Sequence, residues 1–330
     1  MGSREVPTGS KIVIGICLAA NVVALLSPWP PRYSLISPRS ARAAFVTRLN
    51  GDSYTNGTAP PSPPEGIYNL VRFPSEVGPL AAYLTPDPGD GKRRPAVIWG
   101  HGGFRGIGDD AWERNNDQSP RAFLRRDFVL FCPTWRGEVN NPGSFELYLG
   151  EVNDLLAAVK YVRALHYVDS ARIYFVGYSA SGTLALHAAE TKNGLRALFS
   201  IGGGADFSHE MADGKGYEET PFDLGDKKEI EIRNPRSFVA FIQSPVYFFE
   251  GGNSWYAPDG CRMEILAKAL GKPFQAIIVP GAHHWNVLQP ACDYIAHQLL
   301  LDTNETVNFQ FSAVEARKYL PSGQPSAALK

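Results

Sequence analysis

Short, wholly apolar runs recur along the middle of the chain. They alternate with segments whose apolar residues return every three or four positions. Residues 96–99, 128–132, 173–176, 197–201, 246–249 and 276–279 are of the first kind. Runs of this length without polar alternation predict strands covered on both faces, as in a parallel sheet. Residues 67–73 and 80–84 read as half-buried strands at an antiparallel edge. Phe145, Leu149, Val152, Leu155, Leu156, Val159 and Val162 fall on one face of a predicted helix. Residues 180–190, 261–270 and 285–301 also predict helices, the last in spite of Pro290. Strand and helix in alternation give an α/β fold with a doubly wound, mostly parallel sheet. Residues 66–302 form the predicted domain. Residues 1–65 read as a leader followed by a Pro- and Ser-rich tether, and 303–330 as a tail with little signal. The polar stretch 208–236, between two predicted strands, has the character of a small cap beside the site.

Composition adds few constraints. With 44% hydrophobic residues in 330, the chain can bury a large core, and a formal charge of -1 offers no basic footprint for nucleic acid. Residues 12–26 are apolar apart from Asn21 and follow Arg4 and Lys11, the shape of a secretory signal or signal anchor. The expected location is therefore extracytoplasmic: secreted, periplasmic or held at a membrane through 12–26. Cleavage is left open, because Ala41-Arg42-Ala43 lies far beyond the apolar run. Cys17, Cys132, Cys261 and Cys292 have no metal-ligand spacing. A Cys261–Cys292 bridge stands against the alternative of buried free thiols. Asn56-Gly57-Thr58 and Asn304-Glu305-Thr306 match glycosylation acceptors.

Three stretches carry candidate chemistry. The first is Gly177-Tyr178-Ser179-Ala180-Ser181-Gly182, after a predicted buried strand and before an apolar helix. A hydroxyl becomes a nucleophile when it is exposed, oriented and deprotonated by a neighbour, and a sharp strand-to-helix turn supplies the first two conditions. Small flanking residues let strand and helix approach. Gly177 meets that need, whereas Ser181 stands where glycine is usual. The plain alternative for Ser179 is a helix N-cap. The second stretch is His101-Gly102-Gly103-Phe104, directly after another strand. An oxyanion needs two aimed N–H donors, and here Gly103 or Phe104 would supply one and Ala180 the other. The third is Pro280-Gly281-Ala282-His283-His284-Trp285, after the last strand. It offers His284 as general base, with His283 as the alternative.

These stretches, with FVLFCPTWRGE, EVNDLLAAVKYV and SPVYFFEGG, make residues 66–302 resemble an α/β-hydrolase. The group most resembled is the prolyl oligopeptidase and dienelactone hydrolase-like serine hydrolases. The resemblance implies an eight-stranded sheet flanked by helices and a Ser–acid–His triad. The alignment puts Ser254 where the acid is expected. Glu250 at the end of its strand is favoured instead, because a carboxylate there needs a buried partner. Asp259 and Asp206 remain alternatives. Arg136 and the pair Asp169 and Arg172 are read as structural, and Glu151 and Asp154 as lying on a helix's solvent face or in a nearby salt bridge.

The expected activity is hydrolysis of a small ester, or of a peptide amide, through an acyl-enzyme on Ser179, with no cofactor implied. The rival expectation is a hydrolase fold kept as an inactive binding or scaffold protein, motivated by the displaced acid and the altered turn. Oligomeric state is not legible.

Overall fold

The computed structural model describes residues 33–50, 58–107, 111–112, 120–211, 217, 220–303, 305–307 and 309–320. The apolar run at 12–26, Cys17 and both glycosylation asparagines lie outside the described residues. Among those described, no helix is long and apolar enough to cross a membrane.

Eight strands form one sheet: β1 (Asn69–Ser75), β2 (Gly78–Leu84), β3 (Arg94–Gly100), β4 (Val129–Pro133), β5 (Val168–Tyr178), β6 (Ala197–Ile201), β7 (Val246–Gly251) and β8 (Phe274–Val279). Their order across the sheet is β1-β2-β4-β3-β5-β6-β7-β8. β1 and β2 pair antiparallel at one edge, and β2 joins β4 antiparallel. All later pairings are parallel. The apolar runs predicted as two-sided strands are buried because helices cover both faces, except that Ala276 on the edge strand β8 is only half-buried. One face packs against the helices Glu151–Arg163, Ala180–Ala189 and Ala257–Ala269. The other packs against Arg121–Leu124, Leu288–Leu301 and Ala313–Arg317. A fully buried side chain such as Ile98 contributes about 1.5–3 kcal/mol to this arrangement.

Several expectations change. The amphipathic helix starts at Glu151, so Phe145 and Leu149 precede it in a loop where Leu147 and Tyr148 have φ of 53° and 73°. Those two apolar residues are buried, but in small clusters outside the main sheet core. Helical spacing had therefore matched loop residues by coincidence. Of the two readings of Glu151 and Asp154, the solvent face falls because both are buried, and the salt bridge holds for Asp154. Asp154 holds Arg136 through Oδ1 and Oδ2, and Arg136 also reaches Glu76 and Glu146. Gly150 has no Cβ because the Arg136 guanidinium fills that space.

The tether and tail are also less separate than predicted. Pro38–Ala43 is a short helix, and Leu49 bridges Phe222. At the other end Phe309, Phe311 and Ala316 belong to the core. Packing thus continues on both sides of 66–302. The three described cysteines, Cys132, Cys261 and Cys292, are free and buried, which corrects the Cys261–Cys292 bridge.

Candidate active site

The C-terminal ends of β3, β5, β6, β7 and β8 converge at one edge of the sheet, where ligands gather in open α/β folds. β5 ends in Tyr178 and turns sharply into the helix Ala180–Ala189. The residue on the turn, Ser179, has φ 51° and ψ -112° and makes no side-chain cap bond. That conformation is costly for a residue with a Cβ.

Glycines make the turn sterically possible. Gly100 and Gly177 are register partners at the ends of β3 and β5. A Cβ on Gly177 would collide with the Ser181 carbonyl, and one on Gly100 would lie 2.5 Å from the Ser181 Cβ. Ser181 replaces the expected glycine because Gly100 yields the space beneath it. On the next residue, Gly182, a Cβ would lie 2.9 Å from the Gly203 nitrogen, so helix and β6 loop nearly touch.

His284 meets Ser179 from the loop after β8. Its Nε2 lies 3.3 Å from Ser179 Oγ, and its Nδ1 lies 3.2 Å from Glu250 Oε2. Glu250 is fully buried at the end of β7, and its Oε1 accepts a 2.6 Å bond from the Gly251 amide. Tyr178 and Trp255 stack on the imidazole, with ring centroids 5.4 and 5.8 Å away. Trp285 meets it edge-on at 4.9 Å. His283 turns elsewhere: its amide bonds Asn286, and its Nδ1 accepts from the amide of Trp285.

The other acids are engaged apart from His284. Asp206 accepts from Arg236 and Asn234. Asp259 is buried in the helix Ala257–Ala269 and binds Arg262 and His209. The Ser254 hydroxyl accepts from the Tyr256 amide in a turn.

A cavity of about 270 Å³ opens over Ser179. Gly103, Phe104 and Ala180, the predicted oxyanion residues, all line it. Gly103 has φ 70°, which glycine tolerates without strain. Its loop is anchored by His101, whose Nε2 lies 3.1 Å from Glu138. Sequence reading missed Tyr148, Tyr217 and Tyr256, which also line the cavity, and Gly202 and Gly204 from the turn after β6. The run Gly202-Gly203-Gly204 was the available signal for a close backbone approach. The tyrosines had none, since they come from three separate loops.

Residues 121–300 match the prolyl oligopeptidase family, which is more than half of the chain. No curated protein matches the sequence. Among solved structures, a Pyrococcus horikoshii acylaminoacyl peptidase is similar with a TM-score of 0.59 at 16% identity, over 76% of this chain and 43% of that one. A Mycobacterium tuberculosis puromycin-hydrolyzing peptidase gives 0.59 at 18% identity, over 72% and 40% of the two chains. A Pyrococcus furiosus esterase gives 0.55 at 16% identity, over 75% and 96%. The chain thus spans about two fifths of the two peptidases and nearly all of the esterase. At these identities the structural likeness speaks to fold, while the family match covers the segment holding Ser179, Glu250 and His284. The chain therefore belongs to the prolyl oligopeptidase family and is a serine hydrolase with the α/β-hydrolase fold.

Proposed function

We propose that the protein hydrolyses a small carboxylic ester through an acyl-enzyme on Ser179, with amide cleavage as the second option. The observation that carries this reading is the hydrogen-bonded series Ser179–His284–Glu250 at the mouth of a small cavity. His284 Nε2 takes the proton from Ser179 as Oγ attacks the carbonyl carbon, and returns it to the leaving alkoxide. The same nitrogen then activates water to release the acid. Glu250 fixes the tautomer with the proton on Nδ1 and balances the imidazolium. The tetrahedral oxyanion rests on the Ala180 amide and on an amide from Gly103 or Phe104, an interaction worth about 3 kcal/mol per donor in such sites.

Ester cleavage is favoured by the size of the cavity and by a likeness that takes in 96% of an esterase's chain and 75% of this one. The rival reading, a fold retained only for binding, was motivated by the displaced acid and the altered turn; the contact of Glu250 with His284 and the space Gly100 leaves for Ser181 weigh against it. An extracytoplasmic location, with residues 12–26 as a signal or membrane attachment, belongs to the proposal on sequence grounds.

Fluorophosphonate labelling tests the reading. Wild type labels at Ser179 and hydrolyses p-nitrophenyl acetate, and Ser179→Ala does neither. An unlabelled wild type, beside a serine hydrolase that labels in the same assay, would overturn it.

A further inference from the structure

The loop after β6 brings a carboxyl group that the hydrolytic steps do not use against Gly204, one of the residues lining the cavity. Glu210 ends the short helix Phe207–Glu210. Its Oε2 accepts from the Tyr217 hydroxyl. Its Oε1 is enclosed and has no hydrogen-bond partner among the described residues. This oxygen sits against Gly204, which lines the cavity, and a Cβ there would overlap it. Three phenols gather around the carboxyl. Tyr148, Tyr217 and Tyr256 all line the cavity. Burial first, and then the Glu210 charge, raises the hydroxyls of Tyr148 and Tyr256 above their ordinary values. Phe104 closes the group, with its ring 5.5 Å from Tyr217 and 6.1 Å from Tyr148.

Such an arrangement is poorly satisfied when empty. An enclosed carboxyl oxygen without a donor costs free energy. Burial is the largest influence on Glu210 and pushes it up to about 7, with Asp259 and Asp206 acting in the same direction and Tyr217 and His209 opposing. A cation placed here would gain the carboxylate and the faces of aromatic rings together.

The position also indicates which part of a substrate it meets. Tyr148 and Phe207 form an apolar cluster with Ala180, and Phe104 and Tyr217 pack against it. His284 is bordered instead by Tyr178, Trp255 and Trp285, while Tyr256 serves both sides, lining the cavity with Tyr148 and Tyr217 and lying 5.3 Å from the imidazole. A leaving group must lie where His284 can protonate it, so the Ala180 side holds the acyl group.

Resting on the proposed hydrolysis, we infer that Glu210 and its ring of tyrosines form an acyl-side subsite for a protonated amine, selecting esters whose acyl group carries an ammonium close to the carbonyl. Glu210 supplies the counter-charge, and Tyr217 holds its carboxyl in place.

Two nearly isosteric esters test this. L-alanine methyl ester and methyl isobutyrate differ by an ammonium in place of a methyl group. Their kcat/KM values are measured by pH-stat, each divided by its uncatalysed hydroxide rate, so that intrinsic reactivity cancels. Wild type is expected to prefer the alanine ester by about 10- to 100-fold, the range of a charge-assisted hydrogen bond. Glu210→Gln, close in size, should bring the ratio near one. Tyr217→Phe should lower it less, chiefly through KM. A wild-type ratio near one overturns the inference without any variant, and so does a preference that survives in a folded Glu210→Gln protein. Fluorophosphonate labelling of Ser179 is run on the same samples. Labelling with neither ester cleaved overturns the subsite alone, whereas absence of labelling overturns the hydrolytic reading and the subsite with it.

Discussion

Gly202 has no side chain because His284 occupies the space one would need: a Cβ there would lie 2.6 Å from the imidazole Cε1 and 2.8 Å from Nδ1. The glycine also has φ 67°, so any replacement is strained as well as crowded. The turn after β6 thus holds the imidazole at the distance from which it reaches both Ser179 and Glu250. The Gly202→Ala protein is expected to fold, with a loss of about 1–2 kcal/mol from the backbone. Its kcat on p-nitrophenyl acetate should drop by roughly 100-fold, because a shift of about 1 Å in the base is enough for that. Circular dichroism melts and initial rates on one preparation separate the two effects.

Glu250 is the acid that contacts His284. Glu250→Gln keeps the shape but offers an amide where the imidazole Nδ1–H needs an acceptor with charge. A fall in kcat of about 10³–10⁴ is expected, as for the corresponding change in other serine triads. Asp206→Asn serves as the comparison, since its carboxylate pairs with Arg236 and Asn234. Its kcat should stay near wild type. Equal losses in both variants would remove Glu250 from the triad.

The Arg136–Asp154 pair is a stability element away from the serine. Both groups are buried, and Arg136 also binds Glu76 and Glu146. Asp154→Asn leaves a buried guanidinium short of its bidentate partner and is expected to cost about 3–5 kcal/mol. Urea denaturation followed by tryptophan fluorescence measures this.

Glu151 gives stability a definite pH dependence. Burial, the largest influence, pushes its carboxyl from 4.5 up to about 8. Its Oε1 accepts from the Glu146 amide, and its Oε2 has no partner among the described residues. The folded state therefore holds a proton that the unfolded chain has released. The contribution is fully present below the unfolded value, near 4.5, and is lost as pH rises through about 8. The slope in that window is at most about 1.4 kcal/mol per pH unit from this group. Glu151→Gln should flatten the decline between pH 5 and 8 in denaturation series. An unchanged slope would assign the decline to other buried acids.

The cysteines offer a simple measurement. Cys132, Cys261 and Cys292 are buried, and burial raises the thiols of Cys132 and Cys292 well above their ordinary values. All three should resist a thiol reagent in the native protein and react once it is unfolded without reductant. The melting temperature should be the same with and without reductant. A reductant-dependent shift would restore a disulfide.

The order of elements and the identity of the strands were legible in the sequence because their signals are local. A run such as Val97-Ile98-Trp99, too short for a buried helix and ended by Gly100, reads as a strand covered on both faces. Gly177 and Gly182 around Ser179 likewise announce a tight strand-to-helix turn, since only small residues allow that approach. The start of the helix at Glu151 was not legible. Phe145 and Leu149 have helical spacing, yet the positive φ values at Leu147 and Tyr148 break the helix before it reaches them. Nor could the sequence decide among Glu250, Asp206 and Asp259. All three are carboxylates that follow a predicted strand, and only the approach of segments 34 positions apart brings Glu250 to His284.

The strands, the tight turn at Ser179 and the loop carrying His284 follow from local pattern alone, because each depends on neighbours within a few residues. Which acid contacts His284, why Ser181 is tolerated above Gly100, and the meeting of Glu210 with three tyrosines beside one cavity came only from the folded arrangement. Those relationships depend on distances between segments remote in the chain, which the packing of strand ends sets and which no local pattern records.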